Sequence, residues 1–304
     1  MKTNAVYGLI TLSALFWGMN FALAGPVMLD EPPLYAAAFR FLLSSAVMLV
    51  LAMMRGEPLV QSARRHAGVF MLLGALGIGA FNLLFFFALQ RTSAANASLI
   101  MATNPLLTTL LAALMLGERA SVSQLAALPL ALIGVVVVIS GGRWDQLRSL
   151  HVASGDLIML CADLVWAFYN VLGRRYMPAG SPLTNSTLMI MAGTLVLLVA
   201  AVASSETPVM PGPESGAGLV MMALGGTVLA YLFWTTGIAR LGAGRTALFL
   251  NLVPVFAMLI AGAMGEVPTG AQLVGGLLVI GAVLVATLPR RQPAAVVVPS
   301  GCRS

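Results

Sequence analysis

The sequence predicts an all-α integral membrane protein, with ten transmembrane helices arranged as two inverted five-helix repeats and both termini cytoplasmic. Three observations carry this. First, the 304 residues are 60% hydrophobic and 9% charged, with a mean hydropathy of +0.97; a soluble domain carries roughly a quarter charged residues. Second, the chain contains one stretch twice. Moved by 149 positions, Arg91 falls on Arg240, Ala94 on Ala243, Leu99 on Leu248, Pro105 on Pro254 and Met115 on Met264. After one deletion Gly117-Glu118 meets Gly265-Glu266, and the same offset carries Trp17 onto Trp166. Third, the basic residues gather on one side of the predicted spans.

The ten apolar stretches lie near residues 6–24, 34–54, 68–89, 95–116, 122–140, 155–173, 183–203, 216–239, 246–264 and 270–288. An apolar stretch of about 20 residues spans a bilayer as a helix. Runs this long are not the alternating pattern of a β-barrel. Breaks are expected at Pro26 with Asp30-Glu31-Pro32-Pro33, at Arg55-Gly56-Glu57-Pro58, at Gly141-Gly142-Arg143, and at Pro208, Pro211 and Pro213. The repeat divides the chain into residues 1–144, residues 145–288, and a disordered cytoplasmic tail at 289–304. The start of the chain also fits a cleavable signal peptide, with Lys2, an apolar run and Ala22-Leu23-Ala24 before Gly25. The partnership of Trp17 with Trp166 assigns that first segment to the repeat instead.

Orientation follows from charge. With the N-terminus inside, 12 of the 16 basic residues lie inside (Lys2, Arg55, Arg64, Arg65, Arg119, Arg174, Arg175, Arg240, Arg245, Arg290, Arg291 and Arg303). Arg91, Arg143 and Arg148 lie outside, and Arg40 lies within a span. This retained cytoplasmic charge accounts for the net +6 and the pI near 10.0 without a nucleic-acid partner. Five spans per copy is odd, so the second copy inserts upside down. Inverted repeats characterise carriers whose substrate site lies near the midplane, between the copies.

The sequence excludes several chemistries. Cys161 and Cys302 make no disulfide framework. His66, in an inner loop, and His151, in an outer one, lack metal-site spacing, so no metal and no cofactor are expected. No span holds a histidine, and one acid lies deep, so no catalytic set is expected and the chain is not read as an enzyme. A channel would need a symmetric filter of carbonyls or charges; one Arg and one Asp do not make it.

Ionisable groups within spans are costly and point to function. Arg40 and Asp163 each lie about 10–12 Å below the outer surface, at about 1.5 Å per residue. Arg40 reads as a carboxylate receptor or gate, or else as a structural tether. Asp163 reads as a counter-ion or proton carrier, or as a structural partner of Arg40. A carboxylate beside an arginine stays charged and carries no proton; an unpaired one can take up a proton. A second set combines aromatic and amide residues at helical spacing. Trp17 and Asn20 share a face, and their copies are Trp166 and Tyr169, with Asn170 beside them; Asn82 and Phe85 share another, with copies Tyr231 and Trp234. Asn104 precedes Pro105, Asn251 lies three before Pro254, and Met101 is close to Asn104. These residues are the candidate substrate-binding set, because polar side chains in lipid must face the bundle or a cavity. Aromatic walls and amides suit a small amphipathic solute. The same residues also serve as interhelical glue elsewhere, and Trp anchors at membrane interfaces.

Phe39-Arg40-Phe41, Ala94-Ala95-Asn96-Ala97 leading to Pro105 and Gly117-Glu118-Arg119, and Leu248 with Pro254 through Gly265-Glu266 resemble the EamA family of the drug/metabolite transporter superfamily, to about residue 288. The chain is also similar to its bacterial aromatic amino-acid exporter branch. The resemblance implies a multi-pass carrier of the bacterial inner membrane, monomeric or homodimeric. It would export amino acids, aromatic and other neutral or apolar ones, or similar amphipathic metabolites, by alternating access, with proton coupling open. A multidrug or other metabolite exporter of the same fold is the alternative. Cation exporters rely on a buried Glu, which these spans lack.

Overall fold

The computed structural model describes residues 2–92, 97, 100–118, 120–143, 145, 148, 154–265 and 267–287. Expectations resting on residues 94–96, Leu99, Arg119, His151, Glu266 and the 289–304 tail fall outside these. All regular structure among the described residues is helical. In chain order it comprises α1 (Thr3–Asp30), α2 (Pro33–Met54), α3 (Leu59–Ala88), α4 (Asn104–Leu116) and α5 (Val122–Ser140). Then follow α6 (Ser154–Tyr176), α7 (Pro182–Ala203), α8 (Pro213–Leu241), α9 (Ala243–Ala263) and α10 (Gly270–Thr287). Seven of these, α2, α3 and α5 to α9, are long and apolar enough to cross a membrane; α4 and α10 are shorter apolar helices.

Local chemistry sets the ends. Ser121 and Gln124 form a reciprocal capping box that starts α5. Proline opens α2, α7 and α8, where its missing N–H has no helical partner to lose. Gly117 and Gly141 end α4 and α5 at φ +66° and +59°, a left-handed region that glycine enters without a Cβ penalty.

Two local expectations are corrected. Pro26 does not break the first helix; α1 continues through it to Asp30. Unwinding in lipid would strand several backbone groups, whereas continuing forfeits one hydrogen bond. His66 is not in a loop. It lies inside α3, whose backbone kinks there (φ −131°, ψ 23°).

The helices pair almost wholly between the two halves of the chain. Helix α1 packs on α8 and α9, and α6 packs on α3 and α4; α2 packs on α7 and α8, and α7 on α2 and α3; α5 packs on α10. Advancing every helix by five maps this set of contacts onto itself, as a two-fold relation requires. Repeat-related residues also meet directly. Ser45 and Thr194, 149 apart, share a 2.8 Å hydroxyl contact, and the rings of Trp17 and Trp166 lie 5.6 Å apart. The contacts are close because small residues line them. A Cβ on Gly193 would sit 2.6 Å from the Gly74 carbonyl oxygen, and one on Gly134 would sit 2.8 Å from that of Gly275. Leu114 and Met54, 74% and 79% exposed, lie outside the core, as lipid-facing side chains do.

Each half carries one π-helical turn, at Ala75–Ala80 in α3 and Leu224–Leu229 in α8. They stand at the same 149-residue offset as Trp17 and Trp166. A π-turn replaces i→i+4 backbone bonds with i→i+5 ones. Trp17 Nε1 donates to the Gly226 carbonyl at 3.0 Å, and Tyr231 Oη donates to the Gly77 carbonyl at 3.1 Å. Each half thus satisfies the other's irregular turn. Gly77 lies against the Tyr169 ring and Gly226 against the Asn20 amide, again repeat-related positions, and a Cβ at either would overlap its neighbour.

Gly74→Ala should lower the melting temperature of the detergent-solubilised protein, at a cost of about 1–3 kcal/mol for overpacking. Gly68→Ala, which meets nothing within 4 Å, should be near neutral. Trp17→Phe should cost about 1–3 kcal/mol, because the Gly226 carbonyl loses its donor. Trp166→Phe, whose Nε1 has no partner, should cost less in the same melts.

Candidate functional site

A cavity of about 290 Å³ lies among α1, α2, α3, α5, α6, α8 and α9 and the segment before α4. It takes residues from the C-terminal halves of α1, α3 and α5 and the N-terminal half of α2, with Trp166 and Tyr231 near the middle of their helices. The cavity therefore runs from the middle of the bundle toward one end. The other end is tied shut across the two halves. Tyr7 stacks on Phe249 at 5.8 Å across the halves, while within the second half Ser186 meets Thr235 at 3.1 Å. Arg174 pairs with Glu118 at 3.3 Å and also donates to the Ala239 carbonyl. Arg175 donates to the Met115 carbonyl at 2.8 Å.

Nine of the expected site residues line the cavity: Trp17, Asn20, Arg40, Asn82, Phe85, Met101, Trp166, Tyr231 and Asn251. Their rings form one cluster. Phe81 and Trp166 centroids lie 4.9 Å apart, Trp17 and Tyr231 6.0 Å, and Phe41 and Tyr231 6.3 Å. Such pairs add about 0.5–1.5 kcal/mol each beyond area burial, so the walls are held firmly before any solute arrives.

The remaining five do not line it. Trp234 is fully buried, 4.9 Å from the Trp17 ring, and donates to Asn170 Oδ1 at 2.9 Å. The Tyr169 ring packs behind Trp166 at 5.0 Å. Asn104 Nδ2 is spent on Asp163, donating to its Oδ1 at 2.7 Å and its carbonyl at 2.9 Å. An amide buried in a low-dielectric core takes the nearest acceptor it can reach. These residues support the wall rather than form it.

The Arg40–Asp163 pair is not formed. No ion pair includes either residue among those described. Asp163, fully buried, receives Asn104 and lies 3.1 Å from Thr103 Oγ1. Arg40 extends over the Phe41 ring at 4.4 Å. Their helices belong to different packing pairs: α2 packs on α7 and α8, and α6 on α3 and α4.

The polar groups around the cavity divide into spent and unspent. Trp17, Tyr231 and Asn82 are spent on backbone carbonyls, the last on Ile78 at 2.8 Å. Arg40 Nε, Trp166 Nε1, Asn20 Oδ1 and Asn251 Oδ1 have no hydrogen-bond partner among the described residues. Just behind the wall the same holds for Tyr169 Oη and Asn170 Nδ2. A buried polar group without a partner costs about 1–3 kcal/mol, and more when charged.

Sequence reasoning missed Phe81, Ala102, Val138, Ile139, Met222, Leu250, Val253, Pro254 and Ala257. Two of them were within reach of the repeat. Leu250 is the copy of Met101, and Ala102 is the counterpart of Asn251. With Trp17/Trp166 and Asn82/Tyr231, four repeat-related pairs line one cavity, so both halves contribute equivalent positions to it. The others are apolar residues within apolar helices, so nothing local marks them.

The EamA-like transporter family matches the chain twice, over residues 4–140 and 153–288. An uncharacterized transporter, YyaM of Bacillus subtilis, is 36% identical over 289 residues, covering 94% of this chain and 95% of the relative. A probable amino-acid metabolite efflux pump of Salmonella typhimurium is 28% identical over 90% of this chain and 91% of its own length. The aromatic amino acid exporter YddG of Ancylobacter novellus is 25% identical over 93% and 98%. Among solved structures, a crystal structure 24% identical in sequence superposes with a TM-score of 0.80, over 94% of this chain and 97% of that one. Apolar helices of spanning length and transporter relatives make this a multi-pass protein of the bacterial inner membrane. The chain belongs to the EamA-like transporter family.

Proposed function

We propose that this protein is an alternating-access exporter of small metabolites, foremost aromatic and other neutral or apolar amino acids. Its ten spans form two inverted repeats of five, residues 1–144 and 145–288, with both termini cytoplasmic. The observation that carries this is the cavity lined by both halves and walled by aromatic rings. Two near-equivalent halves packed largely against each other have two near-equivalent packings, one exposing the cavity to each side. By the charge rule the cavity lies toward the outer side here, and the Arg174–Glu118 end is cytoplasmic. Relatives named as an amino-acid metabolite efflux pump and an aromatic amino acid exporter support the substrate class. A multidrug or other metabolite exporter of the same fold is the second reading, favoured by the largely apolar wall at Val138, Ile139, Val253 and Ala257. Dye efflux measured beside amino-acid counterflow in proteoliposomes separates the two.

Asp163 is the candidate coupling residue. Thr103 Oγ1 lies 2.7 Å from the Ile100 carbonyl and 3.1 Å from Asp163 Oδ2. A hydroxyl has one proton and can also accept. Thr103 can therefore donate to the charged carboxylate, or turn to Ile100 and accept from the protonated one. Both charge states keep a satisfied geometry, with Asn104 donating to Oδ1 throughout.

Trp166→Ala should reduce counterflow of labelled phenylalanine at least about tenfold, a loss of about 1.4 kcal/mol, in protein that remains monodisperse in detergent. Unchanged counterflow would remove Trp166 from the transport path. Asp163→Asn should abolish any dependence of transport on a pH gradient while leaving exchange at equal pH active. Persistence of that dependence would exclude Asp163 from coupling.

A further inference from the structure

On the cavity wall Trp17, Tyr231 and Asn82 are already occupied by the protein, and the groups that are not form a chemically complementary set. The guanidinium of Arg40 makes no hydrogen bond or ion pair with any described residue. Its Cζ lies over the Phe41 ring, 4.4 Å from the centroid. This cation–π contact uses none of the five N–H donors, which stay available to a ligand. Trp166 Nε1, a second donor, has no partner either. The unoccupied acceptors are the amide oxygens of Asn20 and Asn251. Among the described lining residues, Arg40 is the sole one that carries a charge.

We propose that this subsite selects a carboxylate. Arg40 and Trp166 receive the carboxyl group of the solute, and the amides of Asn20 and Asn251 accept from its ammonium group where it has one. The solute is then a zwitterion or a monocarboxylate with an apolar body lying against the rings. A guanidinium is planar and presents paired donors that match both carboxylate oxygens. Positive charge within a low-dielectric cavity also repels amines that lack a carboxylate. The substrate class is thereby set by one residue of the first half. The repeat counterpart of Arg40 is Met189, so the pseudosymmetry does not supply a second anion receptor. This assignment rests on the cavity being the transport site proposed above.

The test uses purified full-length protein and matched solutes with a common body: phenylalanine, 3-phenylpropionate and phenylethylamine. Binding is read by Trp fluorescence and by the ligand-induced shift in melting temperature, for wild type, Arg40→Lys and Arg40→Gln. Wild type should bind phenylalanine and 3-phenylpropionate at least tenfold more tightly than phenylethylamine. Arg40→Gln should lose that discrimination, and Arg40→Lys should keep only part of it. Equal or tighter binding of phenylethylamine by wild type overturns the proposal and leaves the exporter reading standing, and this arm needs no variant to fold. Retained tenfold discrimination in a folded Arg40→Gln also overturns it. Failure of folded wild type to bind any of the three overturns both the carboxylate assignment and the amino-acid reading.

Discussion

A lipid-embedded chain cannot hand its polar groups to solvent, and the structure depends on how it meets that constraint. Regular helix satisfies most backbone groups within each segment. At the two π-turns the carbonyls of Gly77 and Gly226 are met from the opposite half by Tyr231 and Trp17. Hydroxyls of Ser13 and Ser44 likewise reach carbonyls of α8, at Ala230 and Ala223. Two halves that complete each other's hydrogen bonds are not independent domains. Their helices pair across the chain because the polar groups, and the small residues that let backbones approach, are arranged for that partner.

The cavity is what remains between halves so joined. Its polar inventory is uneven because the repeat conserves backbone geometry more than side chains. Asn20 faces the Gly226 turn and its copy Tyr169 faces the Gly77 turn, so one position offers an amide and the other a ring. Asp163 stands where the first half has Ala14, and Arg40 where the second half has Met189. A two-fold scaffold therefore carries a one-sided chemistry. The charged groups act apart, with Arg40 on the wall and Asp163 behind it in a shell of Asn104 and Thr103. That separation leaves Asp163 with neutral donors, which hold it in either charge state, where an arginine would have fixed its charge.

Much of the architecture was legible from residues alone. Composition, the 149-residue period and the apolar stretches between Pro and Gly breaks gave helical elements close to those observed. Errors fell where local signals are overruled by the environment. Pro26 sits in a helix because, without water, ending it costs more than one missing bond. Arg64, Arg65 and His66 are helical because a kink at His66, rather than a break, accommodates the change of direction. The aromatic and amide residues singled out as a site fell at or just behind the cavity. Periodicity places a residue on a helix face, but not at the depth or rotation that separates a wall from its backing. Trp234 and Phe85 are repeat partners, yet only Phe85 reaches the cavity.

The sequence by itself determined the class, the internal duplication and the family, because these follow from composition and period, which no packing alters. It also named the residue types able to bind a solute. Only the tertiary structure decided which of them face the same space, and which have already given their hydrogen bonds to the protein. Those facts depend on helix rotation and on partners far apart in sequence: Trp17 with Gly226, Asn104 with Asp163, Trp234 with Asn170. In lipid, where every polar group needs a partner within the bundle, the division between spent and unspent groups defines the site, and it exists only once the two halves have met.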